Sequence, residues 1–125
     1  MENLLYRKGD IIIKTLTKAY EKMYKDVIRH IGSKLYGKYD GNEALDIIKN
    51  FLYVDNIFTE EEIEELTDNG GDDVNNELKY KFIARYLMWD GVKVNSARKY
   101  LEERYNVSDS DENIEKVIKQ LEKML

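Results

Sequence analysis

The sequence predicts an all-α protein: a compact, single-domain bundle of five to six helices over residues 1–125. Three observations carry this expectation. Proline is absent, so no position is forced to break a helix. Apolar residues recur at spacings of three and four along most of the chain. The only strand-like piece, Val92-Lys93-Val94, is too short to build a sheet. At 125 residues, 42 % of them hydrophobic, the chain can bury one core but is too short for two ordinary domains.

Without proline, helix ends must come from glycine and capping residues. The seven glycines, at 9, 32, 37, 41, 70, 71 and 91, cut the chain into pieces of helical length. The first helix is expected to start after the N-cap candidate Asp10 and to stop at Gly32. Its apolar stripe is Ile12, Ile13, Leu16, Ala19, Tyr20, Met23, Val27 and Ile31. A strand over Ile11–Ile13 is the rival, but the helical period runs on for five turns. The second helix is expected from Asn42 to Tyr53, with Ala44, Leu45, Ile48, Phe51 and Leu52 inward. The third opens on a Thr-x-x-Glu capping box, Thr59 with Glu62, carries Ile63 and Leu66, and ends near Asn69-Gly70-Gly71. The fourth starts near Val74, includes Leu78, Phe82, Ile83, Tyr86 and Leu87, and closes at Gly91. The fifth follows the N-cap candidate Asn95 and buries Ala97, Tyr100, Leu101 and Tyr105. The last starts between Ser108 and Asp111 and carries Ile114, Val117, Ile118, Leu121 and Leu125. No repeat, low-complexity tract or linker interrupts this order.

Composition excludes several classes of function. With no cysteine there is no disulfide scaffold, thiolate zinc site or cysteine nucleophile. A single histidine, His30, excludes the usual metal clusters. No apolar stretch is long enough to span a bilayer, and the first nine residues lack the apolar core of a signal peptide. The expectation is a soluble, cytoplasmic protein that uses no cofactor or metal and does not act on membranes.

Charge is strongly segregated beneath a net −5. Residues 1–49 carry ten Lys/Arg against seven Asp/Glu; residues 50–76 carry nine Asp/Glu and no Lys/Arg. Residues 77–104 are net positive, seven against four, and residues 105–125 net negative, three against five. In the first helix Lys14, Lys18, Lys22, Lys25 and Arg29 fall within an arc of roughly 80°, nearly opposite the apolar stripe. Glu21 and Asp26 lie beside that arc. Three interpretations compete: an ordinary solvated face, a basic face for phosphates or an acidic protein, or a stripe neutralised by the acidic 55–73 segment, within one chain or between copies. Glu60, Glu61, Glu64 and Glu65 suit the dipole of the third helix, and they are equally a candidate surface for a basic partner.

Other candidates are weaker. Asp68-Asn69-Gly70-Gly71-Asp72-Asp73 invites a calcium loop, but its sixth position is Asp73 and its twelfth Lys79, where glycine and glutamate are needed. Ser33, Ser96, Ser108 and Ser110 match no nucleophile pattern, and no phosphate-binding glycine loop is present. Ten tyrosines lie among cations, as at Tyr20, Tyr24, Tyr36, Tyr39, Tyr80 and Tyr100. Such interleaving can stack bases of single-stranded nucleic acid or simply line the boundary of a small core. Trp89 is a core anchor or an interface hot spot. The last three helices have the order of a helix-turn-helix, but the expected recognition turn, Asp109 to Asn113, is acidic where phosphates would sit.

The expected function is therefore a non-enzymatic binding protein: an inhibitor, adaptor or regulator, as in a virus or mobile element. It docks on another macromolecule, a protein first, through segregated basic and acidic surfaces. The alternative is a nucleic-acid-binding regulator using the first-helix stripe or a degenerate C-terminal helix-turn-helix. Self-association is a third possibility.

Overall fold

The computed structural model describes residues 15–36, 41–54, 56–108 and 111–125, with side chains throughout except at 32–36, 41–43 and 69. These residues form six α-helices and no strand: α1 (Leu16–Tyr36), α2 (Gly41–Leu52), α3 (Glu60–Thr67), α4 (Asn76–Trp89), α5 (Ala97–Tyr105) and α6 (Ile114–Met124). Two 3₁₀ turns, Asp68–Gly71 and Val94–Ser96, follow α3 and precede α5. The expected all-α bundle is the architecture observed.

α4 is the central element, packed against α1 on one side and α6 on another. Its side chains are buried without interruption from Phe82 to Leu87, so it has no wide polar face. A helix segment buried all round must be wrapped by others. α2 lies on α1, α3 on α2, and α5 on α6. One cluster of buried side chains runs from Leu16 through Ile47, Phe82 and Leu101 to Leu121.

Local chemistry sets most helix ends. The Thr59 hydroxyl accepts from the Glu62 N–H at 3.1 Å while the Glu62 carboxylate accepts from the Thr59 N–H at 2.9 Å, the expected capping box. Asn75 caps α4 by accepting from Leu78 N–H at 2.9 Å, so α4 begins at Asn76 rather than at Val74. At its far end Gly91, with φ +77°, allows Val92 N–H to reach Leu87 O and Gly91 N–H to reach Met88 O. This is the paired closure that a left-handed residue permits. Asn106, at φ +56°, closes α5 by a different pair, Asn106 N–H to Glu102 O and Val107 N–H to Leu101 O.

Several boundaries differ from expectation. α1 runs past Gly32 to Tyr36: an isolated glycine costs about 1 kcal/mol in a helix but does not end it. The Thr15 hydroxyl accepts from Lys18 N–H at 3.3 Å at the N-terminus of α1; Asp10, Ile12 and Ile13 lie outside the described residues. In α2 the inward residue is Ile47, not Leu45, which is 41 % exposed. Asn95 sits inside a 3₁₀ turn and Ser96 precedes α5 without a side-chain cap. Tyr100 is only half-buried. α6 starts at Ile114, after a turn in which Asp111 accepts from Asn113 N–H at 2.9 Å. Leu125, beyond the last turn, is 70 % exposed. Val92-Lys93-Val94, expected to be too short for a sheet, leads into the second 3₁₀ turn.

Gly71 and Gly91 give a matched test of backbone and packing. Both have positive φ, but a Cβ at Gly91 meets open space, whereas one at Gly71 would lie 2.5 Å from the Tyr24 ring. Gly91→Ala should cost about 1–2 kcal/mol, from the left-handed conformation alone. Gly71→Ala should cost about 2–5 kcal/mol, because an overpacking penalty is added. Urea unfolding of both variants measures the difference; equal losses would mean that the buried ring gives way freely.

Candidate docking surface

The long, regular α1 positions the cationic stripe. Lys18, Lys22, Lys25 and Arg29 all stand exposed; Lys14 lies outside the described residues. Their positive charge is only partly answered from within the helix. Lys18 pairs with Glu21 at 3.6 Å, Lys22 with Asp26 at 3.6 Å, and Arg29 with Asp26 at 2.7 Å. Lys25 has no ion pair with a described residue.

Asp26 is not a surface residue softening the stripe. It is 6 % exposed. Besides its two cations, it lies within 3.4 Å of the Tyr105 hydroxyl, which donates at 2.9 Å to the Tyr86 hydroxyl. Burial of a carboxylate is tolerated where cations and hydrogen bonds satisfy it. Asp26 thus joins α1 to α4 and α5. The signal in the sequence was its position seven residues after Ala19, on one flank of the apolar stripe.

Among the described residues, no ion pair joins residues 55–73 to the cations of α1. α1 meets this segment through neutral groups: the Tyr20 hydroxyl donates to Gly71 O and the Tyr24 hydroxyl to Leu66 O, each at 2.8 Å. Glu60, Glu61, Glu64 and Glu65 are exposed on α3. Two of them already have partners: Glu60 accepts from Tyr53 at 2.9 Å, and Glu65 accepts from the Asn75 side chain at 2.9 Å. Glu62 pairs with Lys81 at 2.8 Å. Partial burial pushes its carboxyl up, but the hydrogen bonds from Lys81 and Thr59 outweigh this and hold it below the ordinary value.

A groove missed by sequence reasoning borders the stripe. Tyr20, Glu21, Tyr24, Lys25 and Ile28 of α1, Ala44 and Leu45 of α2, and Gly70, Gly71 and Asp72 enclose about 250 Å³. Lys25 belongs to both stripe and groove. The exposed Leu45 was its only sequence-level signal, and there it was indistinguishable from a core residue.

Most of the cation-flanked tyrosines among the described residues are committed to the core. Tyr20, Tyr24 and Tyr80 are buried and Tyr100 is half-buried. The ring of Tyr20 is edge-on to Phe82 and that of Tyr24 stacks on it, with centroids 5.2 and 5.5 Å apart. Tyr39 lies outside the described residues, as does the side chain of Tyr36. Trp89 packs one edge against Phe51 and Tyr86 and leaves 37 % of its surface in solvent.

Other candidates stay apart. His30 is exposed, with Nδ1 3.2 Å from the Asp26 carbonyl oxygen. Among the described residues, no three His, Cys, Asp or Glu side chains converge as a metal site. Asp68–Gly71 is a 3₁₀ turn. At the supposed recognition helix, Glu115 in the first turn of α6 is paired with Arg98, and Asp111 braces the turn before it. No helix among the described residues is long and apolar enough to cross a membrane. Comparison with family models, curated proteins and solved structures gives no match.

The buried phenols make stability depend on alkaline pH. Burial, reinforced by Asp72, pushes the Tyr24 hydroxyl up to about 12. Burial, reinforced by neighbouring hydroxyls and carboxylates, also raises Tyr20, and raises Tyr105 with the help of its bond to Tyr86. Raised phenols bind protons more tightly in the folded state. Their contribution is therefore complete below the ordinary phenol value of about 10 and is lost as pH climbs through the folded values. Urea midpoints should hold to about pH 9 and then fall steadily to about pH 12, with tyrosinate absorbance appearing together with unfolding. Tyr24→Phe should flatten that fall; an unchanged slope would remove Tyr24 from the account.

Proposed function

We propose that this chain is a small, non-enzymatic binding protein that docks on the acidic surface of another protein through the exposed face of α1. The observation that carries the proposal is the standing of Lys18, Lys22, Lys25 and Arg29 in solvent on a helix anchored by its opposite side. Like charges so placed repel by a few tenths of a kcal/mol per i,i+4 pair, a cost that a bound acidic partner would offset. The rigid core and the polar groups committed to structure fit an inhibitor, adaptor or regulator better than a catalyst. The absence of cysteine suits a reducing, cytoplasmic setting.

An acidic protein is favoured over nucleic acid by what borders the stripe. Glu21 is exposed beside the cations and pairs with Lys18, while buried Asp26 already holds Lys22 and Arg29. A phosphate backbone laid along α1 would run past the Glu21 carboxylate, whereas a protein partner can place its acidic groups to avoid it.

Lys22 and Arg29 hold buried Asp26, so reversing their charge would damage the fold as well as the surface. Lys18→Glu with Lys25→Glu is the cleaner variant. It should keep the parent's circular dichroism and urea midpoint within about 0.5 kcal/mol. In affinity capture from the native host, quantified by mass spectrometry, it should lose the partner that the parent retains. A variant that captures everything the parent does would displace the site from α1. Duplex DNA should not be retained at about 50 mM salt; retention with a log–log salt slope near −0.9 per phosphate contact would support the nucleic-acid alternative instead.

A further inference from the structure

The outer edge of α2 carries a surface that complements itself. Ile47, Ile48, Phe51 and Leu52 turn into the core. Leu45, Lys49 and Tyr53, four residues apart, form one outward row, and the Tyr53 N–H still bonds to Lys49 O at 2.9 Å. Rows of this i±4 spacing are the ridges that interlock when helices pack. Leu45 and Tyr53 are 41 % and 54 % exposed, both large side chains left in solvent.

The two ends of the row differ in shape and charge. At the Leu45 end lies the groove of about 250 Å³, with Tyr24, Ile28 and Ala44 in its walls. Of its charged residues, Glu21 is paired with Lys18, leaving Lys25 on the α1 wall and Asp72 on the turn opposite. At the Tyr53 end a ring projects, its hydroxyl on Glu60 and Glu64 close enough to act on it electrostatically. One end is an apolar hollow with exposed Lys25 on the α1 wall and Asp72 across from it; the other is an aromatic knob beside two carboxylates.

We propose that this row is an antiparallel, two-fold interface between two copies of the chain, centred on Lys49, with Tyr53 of each copy seated in the Leu45 groove of the other. A two-fold axis makes every contact occur twice. Glu60 and Glu64 of one copy then approach Lys25 of the other. The two Lys49 side chains meet at the axis, where exposed Asp46, three residues earlier on each helix, offsets their repulsion. A contact centred on one twelve-residue helix belongs to the small class of interfaces, so monomer and dimer exchange with concentration. This goes beyond the docking of a different protein on α1; the two surfaces share Lys25, and the variants that test the dimer leave Lys25 unchanged.

The chain has no cysteine, so single introduced thiols report the geometry directly. Under mild copper-phenanthroline oxidation, Lys49→Cys should link to itself as a dimer. Leu45→Cys and Tyr53→Cys should each link poorly alone, because copies of the same residue lie about 12 Å apart along the axis, and should link efficiently when mixed. Sedimentation equilibrium of the parent should rise from 14.8 kDa toward twice that mass between about 5 and 500 µM. Leu45→Glu, at an exposed position that spares the core, should weaken the dimer at least about tenfold with the near-ultraviolet spectrum unchanged. A parent still monomeric at the top of that range overturns the proposal. So does a dimer indifferent to Leu45→Glu, or cross-linking in which the mixed pair has no advantage over the single variants.

Discussion

The fold turns on a helix whose middle has no solvent face. From Phe82 to Leu87 every side chain of α4 is buried, and one of them is Arg85, only 6 % exposed. A buried guanidinium without partners would cost several kcal/mol, so the packing around α4 must supply acceptors. The Arg85 Nε donates to the Phe51 carbonyl at 3.0 Å, and its guanidinium lies 4.4 Å from the centroid of the Phe51 ring. Phe51 is in the last turn of α2, where carbonyls lack helical partners and the helix dipole favours a cation. One side chain therefore ties the C-terminal turn of α2 to the centre of α4. α1 and α3, which pack against α2, are positioned in turn.

Tyrosine does comparable work between α1 and the acidic segment. Tyr20 and Tyr24 place their rings against Phe82 and their hydroxyls on carbonyls at the C-terminal end of α3 and in the turn beyond it. Those carbonyls would otherwise be unsatisfied. Because neutral hydrogen bonds make this junction, the carboxylates of 55–73 and the cations of α1 need not be brought together. That is the physical reason the charge separation seen in the sequence survives folding: the attachment uses the apolar flank of α1 and leaves its opposite face free.

What the sequence made legible was local. The capping box at Thr59 and the closure at Gly91 are each decided within six residues, and both occur as expected. The exposure of Lys18 to Arg29 follows from helical period alone. The misassigned residues were those whose fate depends on distant neighbours. α2 has apolar side chains at 44, 45, 47, 48, 51 and 52, an arc too wide for one buried face, and the placement of α1 and α3 decides that Leu45 is the residue left out. Asp26 showed only as an acid beside the cationic arc, because the tyrosines that bury it come from α4 and α5. Gly32 carried a stop signal that a long, well-packed helix overrides. Arg85 was visible within an otherwise apolar run, but its acceptor, 34 residues away, was not.

The same geometry couples the two surfaces of α1. Tyr24 walls the groove, caps α3 and presses so closely on Gly71 that no Cβ fits between them, so the groove cannot close without disturbing the acidic segment. Lys25 stands on the rim of the groove and within the cationic stripe. A ligand of the stripe that engages Lys25 withdraws that charge from whatever approaches the groove, and the reverse holds equally, since coupling between binding sites is reciprocal. Lys18, on the same stripe but outside the groove's lining, is not shared in this way. The two surfaces are consequently competitive at one residue and independent at the next turn of the helix, a consequence of α1 offering one flank to the core, one to the groove and the remainder to solvent.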